Sequence, residues 1–238
     1  MAEQRWTFLS AEWRDLVMCN YAVDETLLRR YVPKGTSLDS YGGKTYVSLV
    51  GFRFLRTKLA GTVAIPFHRD FDEINLRFYV RRKEGDEERR GVVFIAEIVP
   101  RLAIAKVARW GYGERYVSLP MGHSVGVNAL EYRFRLAGRW CNVYARGLTE
   151  ARKAEEGSLE QFITEHYWGY SALKDGGTVE YQVAHAPWNV RVSGDCGFEG
   201  DASGLYGAEL TEVLRKRPDS AFVADGSAVR VLAGRRIE

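Results

Sequence analysis

Cysteine is scarce. Cys19, Cys141 and Cys196 are the three in 238 residues, widely spaced and odd in number. Lacking any CxxC spacing, they exclude a zinc ribbon or a disulfide-dense scaffold and predict reduced, half-buried thiols in a cytoplasmic protein. No run of about 18 apolar residues occurs, which excludes a membrane-spanning helix. The opening residues, MAEQRWTFLSAEWRD, lack the apolar core of a signal peptide. Neither sign of charge dominates: 34 Lys+Arg against 31 Asp+Glu leave a net +3, too little for a nucleic-acid footprint. The densest charged run, RRKEGDEERR at 81–90, alternates in sign and predicts a solvated hairpin tip. His68, His123, His166 and His185 share no metal-ligand spacing, so no metal is expected. Phosphate-loop, dinucleotide-binding, HExxH and GxSxG signatures are missing, and no cofactor is expected either.

What is present is strand after strand. Residues 15–22, 44–55, 71–82, 91–99, 114–119, 124–136, 139–149, 178–185 and 188–194 carry β-branched and aromatic residues at strand spacing, as do SAFVAD and AVRVLAGR at the end. Short helices are predicted at 25–32, after the N-cap Asp24, and from Pro100 through 110. Two more are predicted at 159–168, after the capping box Ser158 and Gln161, and at 205–217. About ten strands with four helices and no β-α-β alternation predict an α+β, mainly β protein. Its large antiparallel sheet should curl or close. No linker interrupts the chain, so residues 1–238 are expected to form a single domain.

The segment 71–80, FDEINLRFYV, is the most informative. Ile74, Leu76, Phe78 and Val80 point one way; Glu73, Asn75, Arg77 and Tyr79 point the other. An acid, an amide and a base about 7 Å apart on one sheet face form either a solvated stripe or the floor of a binding site. Ser48 interrupts the apolar face of Tyr46, Val50 and Phe52. Glu97 lies in a strand that is apolar on both faces, where a lone carboxylate is costly unless paired, with Arg77 or Arg101 as candidates. Arg101 falls in the first turn of its predicted helix, where it pairs, is solvated or awaits an anion. Lys106, one turn on, either snorkels to solvent or acts as a nucleophile. His166, near a predicted helix end, is explained by the helix dipole, and His185 is expected to pack on Trp188.

The blocks EWRDLVMCNYAVDETLLRRYVPKG, FDEINLRFYVR, GVVFIAEIVPRLAIAKVARWGYG and ITEHYWGYS…VAHAPW together resemble the YqjF-like domain of unknown function. That family lies within the acetoacetate-decarboxylase-like superfamily. The resemblance runs from about Trp13 to the last strands. It implies a closed, cone-shaped barrel with peripheral helices and an internal pocket. It further implies that Arg14, ahead of Tyr21, is the arginine that receives a substrate carboxylate. The superfamily's enzyme carries a lysine pair where Arg101 and Leu102 stand here. Arginine forms no imine, so acetoacetate decarboxylation is not expected.

The function expected is therefore binding of a small anionic, carboxylate-like molecule by Arg14, Ser48, Glu73, Asn75, Arg77 and Arg101. The alternative is a lyase or isomerase that uses Glu73 as acid or base and Arg101 to stabilise an anion, with Lys106 as a narrower candidate. A second alternative is a non-catalytic interaction protein whose polar row is solvated. Neither nucleic acid nor membrane is an expected partner; a homo-oligomer is compatible with the sequence.

Overall fold

The computed structural model describes residues 5–64, 69–100 and 115–237. The chain opens with β1 (Thr7–Val23), α1 (Thr26–Arg29), β2 (Ser37–Leu38), β3 (Thr45–Leu59) and β4 (Val63–Ala64). It continues with β5 (Phe71–Glu84), β6 (Glu87–Val99), β7 (Tyr116–Ser118), β8 (Met121–Val125), β9 (Ala129–Leu136) and β10 (Arg139–Leu148). Then come β11 (Arg152–Lys153), α2 (Leu159–Thr164), β12 (Trp168–Ala172), β13 (Thr178–His185) and β14 (Asn189–Glu199). The last elements are α3 (Ser203–Tyr206), α4 (Ala208–Leu214), β15 (Ser220–Leu232) and β16 (Arg235–Ile237). Residues 101–110 of the helix predicted to open at Pro100 lie outside the described residues.

The sheet closes. Strands run β13-β12-β6-β5-β3-β1-β15, and β15 pairs back onto β13 through Val183↔Val231 and Ala184↔Arg230. Seven strands thus form a ring in which only the β12–β6 contact is parallel. Closure removes the edges that a long twisted sheet would otherwise expose. β14, β10, β9 and β8 continue outward from β15 as a second layer.

Period two sorts the wall residues. Ile74, Leu76, Phe78 and Val80 face outward and pack with Leu130, Tyr132, Phe134 and Val143 of the second layer and with Leu205, Leu210 and Leu214 of α3 and α4. Val50, Phe52, Phe54 and Phe71 face the barrel interior. Two bulges keep this sorting intact across long strands. The first is in β1, where Asp15 has φ 58° and the register against β3 shifts between Arg14 and Val17. Trp13 and Leu16, three apart, consequently both face inward. The second is in β6 opposite Leu76 and Arg77, which puts Phe94 and Glu97 on one face. Without the extra residue, each pair would straddle the wall.

Three expectations are corrected here. Cys19 and Cys196, 177 residues apart, form a disulfide that ties β1 to β14; Cys141 alone is free and buried. Antiparallel pairing of β1, β15 and β14 places the two together, which spacing along the chain cannot disclose, and it removes the thiol argument for a cytoplasmic location. The helix predicted at 159–168 stops at Thr164, and Trp168 begins a strand. The charged tip is not wholly solvated: Arg82 and Arg89, with side chains 15 % and 13 % exposed, converge on Glu180 of β13.

Candidate functional site

The interior of the ring holds a cavity of about 110 Å³, of the order of the roughly 150 Å³ apolar cavities that admit benzene. All seven ring strands contribute to its lining, among them Trp13 of β1, Phe52 of β3, Asn75 of β5, Phe94 of β6, Trp168 of β12, Tyr181 of β13 and Val231 of β15. One end is aromatic. Phe54 stacks on Phe71 at 4.6 Å, and Trp13 meets Phe52, Phe54 and Trp188 edge-on. The other end is polar and is built by β5.

Glu73, Asn75 and Arg77 all line the cavity and are 2 %, 2 % and 9 % exposed. The row is therefore an internal one, and the solvated alternative is excluded. Asn75 Nδ2 donates to Glu73 Oε1 at 2.9 Å, and Glu97, opposite Asn75 in the β5–β6 ladder, adds a second buried acid. Glu73 and Arg77 do not pair with each other. Arg77 Nη2 donates instead to the carbonyl of Ile163 at 3.2 Å, and the guanidinium lies 5.7 Å from the Tyr79 ring centre. Arg77 forms no ion pair among the described residues, and its buried Nε has no hydrogen-bond partner among them. Asn75 Oδ1 is likewise unpartnered among them. A buried polar atom left unmet costs roughly 1–3 kcal/mol, so such atoms gathered in one cavity suit a ligand better than an empty fold.

Ser48 is buried on the same face but does not line the cavity. Its hydroxyl lies 2.6 Å from Asn20 Oδ1, to which it donates, and 2.5 Å from the Tyr79 hydroxyl, closing the polar end of the barrel. Arg14 is placed elsewhere. Its neighbour Trp13 points inward, so Arg14 points outward, where it bonds Glu12 at 3.0 Å and the Gly226 carbonyl at 3.3 Å. Among the described residues, the arginine that lines the cavity is Arg77. Arg101 and Lys106 lie outside the described residues.

His166 is among the lining residues that the sequence reading missed. His166 follows α2 and enters the cavity wall, 6 % exposed, between Tyr79 and Phe162. Its Nε2 lies 3.2 Å from Asp39 Oδ2, which also accepts from Arg90 Nε at 2.8 Å. Burial lowers the imidazole pKa to about 4, against the opposing bond to Asp39 and helped by the Arg90 and Arg77 charges. Burial works to raise the Asp39 pKa, but the hydrogen bonds from His166 and Arg90 outweigh it and hold the carboxyl at about 2. The helix-dipole explanation of His166 is thus replaced: it is a neutral, buried ring oriented by a carboxylate. His185 stacks on Trp188 at 4.2 Å, as expected.

The model of the DUF2071 family, described as an uncharacterized conserved protein, matches residues 10–228. The uncharacterized protein YqjF of Bacillus subtilis is 28 % identical over 219 residues, covering 88 % of each chain. Among solved structures, acetoacetate decarboxylase from Legionella pneumophila superposes with a TM-score of 0.72 at 13 % identity, covering 100 % of this chain and 92 % of that one. The enduracididine biosynthesis enzyme MppR, complexed with pyruvate, gives 0.67 at 14 % identity and the same coverage. An acetoacetate decarboxylase-like enzyme from Sphingomonas wittichii gives 0.66 at 14 %, covering 97 % and 92 %. At these identities the likeness is one of fold.

Proposed function

The chain belongs to the DUF2071 family of uncharacterized conserved proteins, and from that premise we propose that its barrel binds a small, acid-bearing organic molecule through Arg77. The observation that carries this reading is the Arg77 guanidinium, buried at the polar end of the cavity, with no ion pair among the described residues and an unpartnered Nε. A planar guanidinium donates to a carboxylate through two parallel N–H bonds. The aromatic end, from Phe52 to Phe71, would receive the ligand's apolar part. The occupant of a neighbouring fold supports the size of molecule: MppR is complexed with pyruvate.

A thermal-shift panel of small carboxylates, keto acids, phosphates and neutral sugars tests the reading, with Arg77→Met beside the unaltered protein. A ligand that binds only the native state raises the midpoint by mass action, about 2.7 kcal/mol at a hundred times its Kd. The expected result is a rise with carboxylates alone, lost in Arg77→Met. A flat panel at millimolar concentration, or a rise that Arg77→Met retains, overturns it.

A further inference from the structure

The polar end of the cavity does not offer only a cation. Asn75 Oδ1 is an acceptor without a partner among the described residues, and so is one nitrogen of His166, Nδ1. The chemistry of that nitrogen is fixed by what its ring already does. Asp39 Oδ2 accepts from Arg90 Nε at 2.8 Å and lies 3.2 Å from His166 Nε2. An ionised carboxylate only accepts, so Nε2 carries the ring proton. A neutral ring in that tautomer leaves Nδ1 with a bare lone pair.

These atoms sit together. Asn75 and Arg77 are two apart on one face of β5, about 7 Å along the strand. Arg77 bonds the carbonyl of Ile163, three residues before His166, and lies over Tyr79. The Tyr79 ring is in turn 4.7 Å from the imidazole. Two other lining atoms without a partner among the described residues, Trp13 Nε1 and Thr57 Oγ1, belong to the far end. Trp13 pairs with Phe54, four residues from Val50, the partner of Asn75, and Thr57 lies three residues further still.

We infer that the ligand is an acid carrying a hydrogen-bond donor, a hydroxyl or an amino group, close to its carboxylate, and that a keto acid of the same skeleton is discriminated against. The inference rests on the reading that Arg77 holds the carboxylate. Two acceptors beside one guanidinium call for donors beside one anion. A keto oxygen in the donor's place would face the lone pair of Asn75 Oδ1 or of His166 Nδ1, leave that acceptor unmet and repel it. His166 is then a specificity-determining residue, positioned by Asp39 and Arg90. The buried acids Glu73 and Glu97 on the same wall favour the donor as well.

Isothermal titration of the unaltered protein with two matched series tests this: pyruvate, lactate and alanine, then acetoacetate, 3-hydroxybutyrate and 3-aminobutyrate. The expected result is that the hydroxy or amino member of a series binds about tenfold or more tightly than the keto member, the cost of leaving a buried acceptor unmet. The same comparison separates the hydroxyl from the amino donor. His166→Gln, whose amide either donates or accepts, should shrink the ratio while Arg77→Met abolishes binding of every member. Nitrogen-15 shifts of the imidazole, assigned by their loss in His166→Gln, should report the proton on Nε2. Binding of keto and hydroxy members with equal strength, or a proton on Nδ1, overturns the donor inference and leaves the Arg77 reading standing. Binding of no member at millimolar concentration overturns both.

Discussion

Glu180 offers the sharpest test of how the barrel wall is held shut. Its side chain is fully buried, with 0 % exposure, on the outer side of β13. It accepts from Arg89 at 2.9 Å, Arg235 at 3.1 Å, Arg5 and Arg82 at 3.3 Å and the Tyr170 hydroxyl at 3.2 Å. One carboxylate therefore gathers arginines from the N-terminal segment, β5, β6 and β16 onto β13. Glu180→Gln keeps the shape and one acceptor but replaces the other with an NH2 group facing N–H donors. Leaving a buried ion pair half-made costs about 3–5 kcal/mol. The low end applies because the arginine side chains remain 13–36 % exposed and can turn toward water, with Glu84 and Glu87 nearby. About 3 kcal/mol in a chain of this length lowers the melting midpoint by roughly 6–12 °C. Calorimetry or urea unfolding measures it, with Arg235→Gln, the most exposed of the four, as the comparison expected to cost about 1 kcal/mol or less. A loss below about 1 kcal/mol for Glu180→Gln would refute the reasoning, since the carboxylate would then hold nothing together.

Further outcomes follow from the same coordinates. Alkylation of the denatured protein without reductant should modify one cysteine of the three, Cys141; labelling of all three contradicts the disulfide. Closing 177 residues between Cys19 and Cys196 constrains the unfolded chain by up to about 5 kcal/mol in the chain-entropy account, so reduction should lower the urea midpoint. Gly169→Ala would place a methyl group against the Tyr181 ring that covers this glycine. Overpacking of this kind costs about 1–3 kcal/mol, and an unchanged midpoint would show that the ring moves freely. Acid should act through His166. Folded, it titrates near 4 because it is buried, against 6.5 ordinarily, so unfolding takes up a proton between those values and stability falls as pH drops from 6.5 to 4, by up to about 3 kcal/mol. Asp39, held at about 2 against 3.8 by His166 and Arg90, contributes stability that is lost next, between 3.8 and 2. His166→Gln should remove the first slope and not the second; a wild-type slope persisting in the variant argues against it.

The strands were legible because their residues alternate. β5 reads correctly from its sequence alone, both its apolar face and the row Glu73, Asn75, Arg77, since period two needs no tertiary information. That the row faces inward depends on the β13–β15 pairing, a contact between residues 48 apart at Val183 and Val231; the strand count predicted only a sheet that curls or closes, and the family resemblance implied the closed barrel. Arg14 lies off the cavity because its neighbour Trp13 faces inward together with Leu16, across a bulge at Asp15 that no pattern announced. His166 was hidden for a related reason. Its sequence neighbours continue a helical pattern, but the helix ends at Thr164, and the carboxylate that orients the ring is 127 residues away. Glu180 and its arginines come from four distant segments, and the alternating charges at 81–90 resembled an ordinary solvated tip.

A crystal structure of the protein soaked in lactate and 3-hydroxybutyrate tests the central claim most directly. The account predicts electron density for the acid inside the seven-stranded ring, its carboxylate on Arg77 and its hydroxyl within hydrogen-bond distance of His166 Nδ1 or Asn75 Oδ1. An empty barrel at concentrations that produce a thermal shift, or an acid bound on the outer surface, would contradict it.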